Sequence, residues 1–238
     1  MQRPKIIAHR GVAGQYPENT LPAFAAAIDA GADGVEFDVR FTGDGQLIVH
    51  HDAALGRVFP GSAQLKLSTA HELRQLSGGA SGAHIPLLEE VLDLFEQRGR
   101  EGFMIHMELK IDDPEFVGRE TEIARVVKQF RYAGDVTVSS FNHHSLQRWR
   151  TTMPTTATGM LYMEHMVDPW LYAAHLGVSG LHPYLPTVSR DLVTECHARG
   201  FCVCPFTVNR GADIEYMADC GVDALFTDDV ASCQRVLS

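Results

Sequence analysis

Short β-rich runs alternate with amphipathic helical patterns along almost the whole chain of 238 residues. Between the β-rich runs, apolar residues recur three or four positions apart, as a helix with one buried face requires. The predicted strands are Lys5–Ala8, Gly34–Arg40, Phe103–Lys110, Val136–Ser140, Gly159–Tyr162, Gly180–His182, Phe201–Thr207 and Ala224–Thr227. Eight strand–helix repeats in a chain of this length predict an α/β fold of the (β/α)₈ barrel type.

The competing α/β architecture is a doubly wound open sheet, which places a glycine-rich dinucleotide-binding turn after its first strand. The turn in this chain, Gly11-Val12-Ala13-Gly14, does not have that spacing. A chain of this length can form one large domain or two small ones. We therefore expect residues 1–238 to form a single barrel domain.

Residues 53–85 interrupt the alternation and predict a small insertion after the second barrel strand. A hairpin-like start is followed by Phe59-Pro60-Gly61-Ser62, by a helix near Thr69–Leu76, and by a Gly/Ser-rich neck over 77–82. Such a segment can cap one mouth of the barrel, and a plain long connector is the alternative.

The charge balance excludes several classes of partner. Lys and Arg total 20 against 30 for Asp and Glu, which gives a net charge of −10. Sequence-independent nucleic-acid binding and docking on an anionic membrane both need basic patches, so we expect no nucleic acid and no stable membrane association. A small anionic substrate remains compatible, because a local cation or a bound metal can reverse the field inside a cleft.

The first predicted strand begins at Lys5, which leaves no room for a secretory signal, and no later segment is long and apolar enough to cross a bilayer. The cysteines lie toward the C-terminal end at positions Cys196, Cys202, Cys204, Cys220 and Cys233. An odd number without zinc-type spacing favours reduced thiols, and we expect a cytoplasmic protein. The oligomeric state is left open by the sequence, and a homo-oligomer is compatible with it.

Acidic residues lie at the ends of two predicted strands. Glu36 and Asp38 are two positions apart in the second strand, so their side chains point to the same face, and Glu108 and Lys110 repeat this arrangement in the third. Unpaired carboxylates under the outer helices would be costly to bury, which favours the barrel interior near its open mouth. Three converging carboxylates predict a site for a hard divalent cation. Salt bridges to Lys110 and Arg10 are the alternative.

Two histidines also lie where strands end. His9 ends the first strand, and the tight turn Thr42-Gly43-Asp44-Gly45 returns the chain so that His51 reaches the same mouth. A single histidine is usually a surface or core residue. Two histidines beside carboxylates and cations are candidates for acid/base catalysis, because imidazole exchanges protons near neutral pH.

The chain resembles the glycerophosphodiester phosphodiesterase family in an ordered set of motifs. They are His9-Arg10-Gly11, Pro17-Glu18-Asn19-Thr20, Glu36-Phe37-Asp38, Thr42-Gly43-Asp44-Gly45, Val49-His50-His51-Asp52, Glu108-Leu109-Lys110, Phe206-Thr207-Val208-Asn209 and Thr227-Asp228. No single motif is diagnostic, but their order and spacing agree over the whole chain. The resemblance implies a TIM barrel, a divalent cation (Ca²⁺ or Mg²⁺), and hydrolysis of glycerophosphodiesters to an alcohol and sn-glycerol 3-phosphate.

The resemblance also implies a role for individual residues. The implied metal ligands are Glu36, Asp38 and Glu108, the implied acid/base pair is His9 and His51, and the implied substrate-binding residues are Arg10, Lys110 and Phe206. The family suggests that the neighbouring glycerol hydroxyl attacks phosphorus and forms a cyclic phosphate, which water then opens. Glu18 and Asn19 are expected to support the loop after the first strand.

Three positions depart from the family pattern. His106 stands where such proteins commonly have Asn, and we expect it to make a hydrogen bond one layer below Glu108. Phe206 replaces a frequent Trp, which keeps an apolar wall without the indole N–H, and Asp229-Val230 replaces the usual pair after Thr227-Asp228. The remaining histidines considered, which lack an acidic or cationic constellation and are expected at the surface or in packing, are His143, His144, His165, His175 and His197.

Two other functions remain open at this point. A phosphodiesterase acting on lysophospholipids or related phosphodiesters would share the same centre but would need a wide apolar mouth. A non-catalytic barrel that only binds metal or phosphate would keep the three carboxylates, with little reason to keep both His9 and His51.

Overall fold

The computed structural model of the chain describes residues 3–78, 82–99, 101–132 and 135–238. Strands of these residues lie in one nine-stranded sheet. They are β1 (Lys5–His9), β2 (Gly34–Phe41), β3 (Leu47–Val49), β4 (Met104–Leu109), β5 (Val136–Ser140), β6 (Ala157–Tyr162), β7 (Gly180–Pro183), β8 (Cys202–Val203) and β9 (Ala224–Thr227).

Eight of these strands run parallel and nearly close into a barrel. Their spatial order is β8-β7-β6-β5-β4-β2-β1-β9, and β3 pairs antiparallel with β2. The chain at and after β8 meets β9 through backbone hydrogen bonds from Asp223 N to Val203 O (3.0 Å) and from Phe226 N to Pro205 O (3.0 Å). The predicted (β/α)₈ barrel is therefore confirmed.

Helices connect the strands on the outside of the barrel, as a parallel sheet requires. They are α1 (Leu21–Asp29), α2 (Ala70–Arg74), α3 (Leu88–Arg98), α4 (Glu120–Val127), α5 (His143–Thr152), α6 (Pro169–Leu176), α7 (Arg190–His197), α8 (Gly211–Cys220) and α9 (Val230–Val236). Thr20 is the N-cap residue of α1, and Pro22 lies in the first turn, where the missing N–H has no cost.

The seventh barrel strand in chain order, β8, is shorter than predicted. The pattern over Phe201–Thr207 predicts a continuous strand, but regular pairing is limited to Cys202–Val203, and Phe206 makes only an isolated parallel bridge with Tyr184. Backbone hydrogen bonds to β7 continue from Cys204 N to Leu181 O (2.9 Å) and from Phe206 N to Pro183 O (3.1 Å), whereas Pro205 between them has no N–H to donate.

The core lies between the barrel and its helices. Phe24 of α1, Phe37 of β2 and Phe95 of α3 are fully or almost fully buried, and their ring centroids lie 5.7 to 5.9 Å apart. Aromatic contacts at this distance add to the stabilisation from buried apolar area. They anchor β2, which carries two of the predicted metal ligands.

The segment over 53–85 has an apolar cluster of its own. Ile48, Leu55, Phe59, Leu65, Ala70, Leu73 and Ile85 form a group of buried residues separate from the main core. The predicted helix near Thr69–Leu76 is present as α2, and Thr69 caps it with a capping box. Residues 79–81 of the predicted neck lie outside the described part of the chain. That 53–85 is an insertion within a single domain stays a prediction.

None of the helices in the described residues is long and apolar enough to cross a membrane. All five cysteines have free thiols, and burial raises the pKa of Cys204 well above its ordinary value. Four of the thiols are buried and pack as small apolar groups, whereas Cys202 is exposed.

Candidate active site

The carboxyl ends of the barrel strands surround a pocket of about 380 Å³. The parallel register places His9 of β1 beside Glu36 of β2, and Asp38 of β2 beside Glu108 of β4. Of the eight predicted site residues, seven line this pocket: His9, Arg10, Glu36, His51, Glu108, Lys110 and Phe206. Asp38 lies behind them, with no exposed surface. The structure thus brings together residues that are scattered along the sequence.

Glu36, Asp38 and Glu108 form a compact group of buried carboxylates. One oxygen of each lies within 4.8 Å of the others, and the residues are 5%, 0% and 7% exposed. Burial, together with the charge of Asp38, raises the pKa of Glu36 well above its ordinary value and raises that of Glu108 to about 7. Burial would also raise the pKa of Asp38, but Lys110 and Arg10 hold it well below the usual range.

This carboxylate group fits a hard divalent cation. Oδ1 of Asp38 is buried, lies 3.3 Å from Nζ of Lys110, and accepts no hydrogen bond from the described residues. Three carboxylates face two permanent cations, and no Arg or Lys among the described residues forms an ion pair with Glu36. An oxygen-rich, excess-negative site of this kind is what Ca²⁺ or Mg²⁺ requires.

The salt bridges considered as the alternative are also present. Nζ of Lys110 lies 2.6 Å from Oε1 of Glu108, and Nε of Arg10 lies 3.3 Å from Oδ2 of Asp38. Burial would lower the pKa of Lys110, but Asp38 and Glu108 raise it, so the ammonium stays charged. These pairs leave Glu36 without a Lys or Arg partner among the described residues.

His9 is oriented by a carboxylate from the other end of the chain. Its Nδ1 lies 2.8 Å from Oδ1 of Asp228, and its Nε2 lies 4.0 Å from Oε2 of Glu36. Asn209 holds Asp228 by donating from Nδ2 (2.7 Å) and accepting from the Asp228 backbone N–H (2.9 Å). His9 lowers the pKa of Asp228, and an ionised carboxylate only accepts, so Nδ1 of His9 is the donor.

His51 is oriented in the same way by its neighbour. Its Nδ1 donates to Oδ1 of Asp52 at 2.8 Å. Arg57 and His51 lower the pKa of Asp52 to about 2 against the effect of burial, so this carboxylate is also ionised. Burial lowers the pKa of His51, which favours the neutral imidazole near neutral pH. In both imidazoles, Nε2 makes no hydrogen bond to the described residues.

The loop after β1 aims Arg10 at the carboxylates. Arg10 has a left-handed backbone (φ 57°), and Gly11 follows with φ 83°. A Cβ on Gly11 would lie 2.7 Å from the backbone of Ala23, so only glycine fits there. Glu18 accepts from Nη1 of Arg10 at 2.8 Å, and Asn19 donates to Oδ2 of Asp38 at 2.7 Å. Glu18 and Asn19 thus hold charged groups in place.

An apolar wall forms the other half of the pocket. It consists of Phe141, Leu161, Met163, Tyr184 and Phe206, which come from β6 and from the ends of β5 to β8. The centroid of the Phe206 ring lies 5.8 Å from that of Phe141 and 6.0 Å from that of Tyr184. The predicted catalytic histidines, the three clustered carboxylates and the two cations come from β1 to β4 and the loops that follow them, so the mouth divides into a charged half and an apolar half.

The hydrogen bond predicted for His106 is absent. Neither ring nitrogen has a partner among the described residues, and the ring packs 5.1 Å from that of Phe226 and 5.7 Å from that of His182. Burial lowers the pKa of His106 to about 4, so it is neutral. Its position, two residues before Glu108, directs it to a lower and more apolar layer of the barrel.

Among the remaining histidines, one has a partner that sequence reasoning did not expect. Nε2 of His197 lies 2.9 Å from Oδ2 of Asp223, in an exposed hydrogen bond away from the mouth. His143 contacts the Leu161 carbonyl through Nε2 at 2.8 Å. Sequence reasoning also missed Asp228 and Asn209 as the groups that orient His9. Both residues belong to motifs shared with the family, and this was the one indication in the sequence that they are functional. Their roles depend on contacts across the barrel.

Comparisons with known proteins agree with this geometry. The sequence model of the glycerophosphoryl diester phosphodiesterase family matches residues 9–232. A glycerophosphodiester phosphodiesterase from Caldanaerobacter subterraneus is 36% identical over 94% of this chain and 93% of its own, and one from Bacillus altitudinis is 39% identical over 94% of each. A solved phosphodiesterase from Oleispira antarctica, in complex with the product sn-glycerol-3-phosphate, superposes with a TM-score of 0.88 at 30% identity, covering 98% of this chain and 96% of its own.

Proposed function

Because the chain belongs to the glycerophosphoryl diester phosphodiesterase family, we propose that it hydrolyses glycerophosphodiesters to an alcohol and sn-glycerol 3-phosphate at the mouth of its barrel. The observation that carries this proposal is the position of two imidazoles, each held through Nδ1 by an aspartate, beside a cluster of three carboxylates. The product bound in the Oleispira antarctica phosphodiesterase supports the same class of small ligand.

Glu36, Asp38 and Glu108 would hold a divalent cation, Ca²⁺ or Mg²⁺. When bound, the cation supplies charge neutralisation and orientation of the phosphate oxygens. Arg10 and Lys110 are placed to add charge-assisted hydrogen bonds to the same phosphate, since both line the pocket beside the carboxylates. Such bonds strengthen as negative charge develops in the transition state.

His51 is the proposed initial base, and His9 is the proposed initial acid. Burial lowers the pKa of His51, so its Nε2 is ready to accept a proton. Asp228 holds the imidazole of His9 through Nδ1 at 2.8 Å, and Nε2 of His9 is the atom proposed to protonate the leaving alcohol. The roles reverse when water opens the cyclic phosphate.

Attack by the neighbouring glycerol hydroxyl is the proposed first step, and an analogue without that hydroxyl tests it. Intramolecular attack has a large advantage in effective concentration, which the 2-deoxyglycerol analogue loses completely. We expect turnover of glycerophosphocholine and glycerophosphoethanolamine and no turnover of the analogue. Each compound is assayed with added Ca²⁺ or Mg²⁺ and again with chelator. Brisk hydrolysis of the analogue would contradict the cyclic route.

The apolar wall favours a second candidate, hydrolysis of lysophospholipids. An acyl chain needs an apolar mouth, and Phe141, Met163 and Tyr184 are all more than a third exposed beside the reactive groups. The proposal predicts turnover of lysophosphatidylcholine in addition to glycerophosphocholine. A Phe141→Ser variant should lose activity on the lysolipid and keep it on glycerophosphocholine, and equal losses on both substrates would contradict the second candidate.

We also propose that the protein works in the cytoplasm. Five free cysteines, four of them buried, support a reducing compartment. Fractionation of the native cells, with activity on glycerophosphocholine as the readout, tests this location.

A further inference from the structure

Arg57 makes a dense set of ionic hydrogen bonds beside the pocket. It lies in the segment after β3, and its side chain is 47% exposed. Its two terminal nitrogens donate to the two oxygens of Glu18 at 2.6 and 2.7 Å, and its Nε donates to Oδ2 of Asp52 at 2.8 Å. A guanidinium that binds two carboxylates in this way is held in one orientation.

Each of these carboxylates also holds a proposed functional group. Oδ1 of Asp52 accepts from Nδ1 of His51 at 2.8 Å, and Oε1 of Glu18 accepts from Nη1 of Arg10 at 2.8 Å. Arg57 is therefore the middle of an unbroken chain that runs from His51 to Arg10. It does not itself line the 380 Å³ pocket.

We propose that Arg57 is a positioning residue, which fixes the imidazole of His51 and the guanidinium of Arg10 relative to each other through Asp52 and Glu18. This inference rests on the proposed roles of His51 and Arg10. Without Arg57, two facing carboxylates lose their shared cation, and each can rotate away from the group it orients. Proton transfer and phosphate stabilisation both depend on placement to within a fraction of an ångström.

A lysine at this position would not orient both carboxylates as Arg57 does. The planar guanidinium presents several donors in a fixed fork, whereas an ammonium is a single point charge on a flexible stem. Lysine could pair with Glu18 or with Asp52, but could not hold both in their present orientations. The proposal therefore predicts a graded series of activities, with arginine above lysine and lysine above alanine.

The test compares Arg57→Ala and Arg57→Lys with the parent enzyme, loaded with Ca²⁺ or Mg²⁺, on glycerophosphocholine. We expect kcat to fall about 10- to 100-fold in R57A, as when other orienting partners are removed, and less in R57K. Millimolar guanidinium should restore part of the lost kcat in R57A and leave the parent enzyme unchanged. Arg74→Ala is the matched control, because Arg74 lies in the same segment and pairs with Glu90 away from the pocket.

Each outcome bears on the proposal. A kcat of R57A within twofold of the parent value would overturn the proposal. A higher KM with unchanged kcat would also overturn it, because Arg57 would then contact the substrate directly. If R57A does not fold, R57K provides the test, and full activity of R57K would overturn the proposal. In an E18Q/D52N background, R57A should cost only a small fraction of its original effect, and an undiminished loss there would show that Arg57 does not act through these carboxylates.

His51→Ala in the same assay tests the proposed function separately. An inactive H51A beside an unaffected R57A would overturn only the positioning role of Arg57. A fully active H51A would instead refute the acid/base role on which the inference rests.

Discussion

His9 and His51 are oriented alike, although their aspartates come from very different distances along the chain. Asp228 lies 219 positions from His9, whereas Asp52 is adjacent to His51. In both cases an ionised carboxylate accepts from Nδ1 and leaves Nε2 toward the pocket. The two imidazoles are thus oriented alike for the opposite roles proposed for them, acceptance of a proton by His51 and donation of one by His9.

Replacement of either histidine by alanine should remove activity and spare the fold. His9 and His51 line the pocket, so each truncation enlarges a space that is already open instead of creating a closed cavity. We expect kcat to fall about 100- to 10,000-fold, as for other positioned acids and bases. Steady-state kinetics with thermal melts checks this. A folded variant with near-normal kcat would remove that residue from the mechanism.

Asp228→Asn should reduce kcat through His9. Asparagine keeps the shape but no longer provides an ionised acceptor for Nδ1, so the imidazole loses its preferred tautomer and orientation. The expected loss of kcat is about 10- to 100-fold, smaller than that of His9→Ala. Asp229→Asn is the control, since Asp229 caps α9 by accepting from Ser232 N–H at 2.9 Å. It should lower Tm slightly and leave kcat unchanged; equal kcat losses in the two variants would contradict the specific role of Asp228.

At the scale of the elements, β2 and β4 create the site by their register. Side chains two positions apart on a strand share a face, and parallel pairing places Asp38 beside Glu108. Neither strand alone brings three carboxylates together. The same register puts Glu36 beside His106, one layer lower, where apolar neighbours replace the charged ones.

Metal-free Glu108→Gln should gain stability over the parent as pH rises. Burial and Asp38 raise the folded pKa of Glu108 to about 7, above its ordinary value of 4.5. Between these values the folded chain holds a proton that the unfolded chain lacks, so ionisation lowers the parent's free energy of unfolding as pH increases toward 7. The variant has no carboxyl group at position 108, so its free energy of unfolding does not fall for this reason. Its Tm minus that of the parent should therefore grow by several degrees from about pH 5 to pH 8.

Comparison with the variant is necessary because other groups titrate in the opposite sense. Burial lowers the pKa of His106 to about 4 and that of His182 to about 3, so their contribution to stability is lost as pH falls. Both histidines are present in both proteins, so their effects cancel in the difference. A difference in Tm that stays constant with pH would contradict a raised pKa for Glu108.

At the scale of the whole molecule, one mouth of the barrel combines two unlike halves. β1 to β4 supply the charged groups, and β5 to β8 supply most of the apolar wall. The segment over 53–85 joins the charged half through Arg57, which contacts Glu18 and Asp52. A barrel permits this division because all its strand ends meet at one rim.

Divalent cation binding should raise the thermal stability of the whole barrel. A ligand that binds only the folded state stabilises it by about 2.7 kcal/mol at a hundredfold excess over Kd, which corresponds to roughly 5 to 10 °C for a chain of this size. Glu36→Gln removes one proposed ligand and should abolish most of the shift. Scanning calorimetry with Ca²⁺ or Mg²⁺ checks this. Full activity after exhaustive chelation, with no metal found by elemental analysis, would contradict metal dependence.

The sequence by itself determined the architecture and most of the pocket. Alternating local patterns are sufficient to predict the (β/α)₈ barrel, because each strand and helix is encoded by the periodicity of its own residues. The ends of the parallel strands then meet at one rim, which is why His9, Glu36 and Glu108 could be predicted to lie close together. One strand departed from this expectation, since regular pairing in β8 is limited to Cys202–Val203.

Only the tertiary structure decided which groups contact one another. The hydrogen bond of His9 with Asp228 and the bridge of Arg57 between Glu18 and Asp52 depend on side-chain directions and on closure of the barrel. The absence of a hydrogen-bond partner for His106 among the described residues was likewise invisible in the pattern. Local periodicity specifies the face on which a side chain lies, whereas its partner depends on the packing of every strand around the barrel.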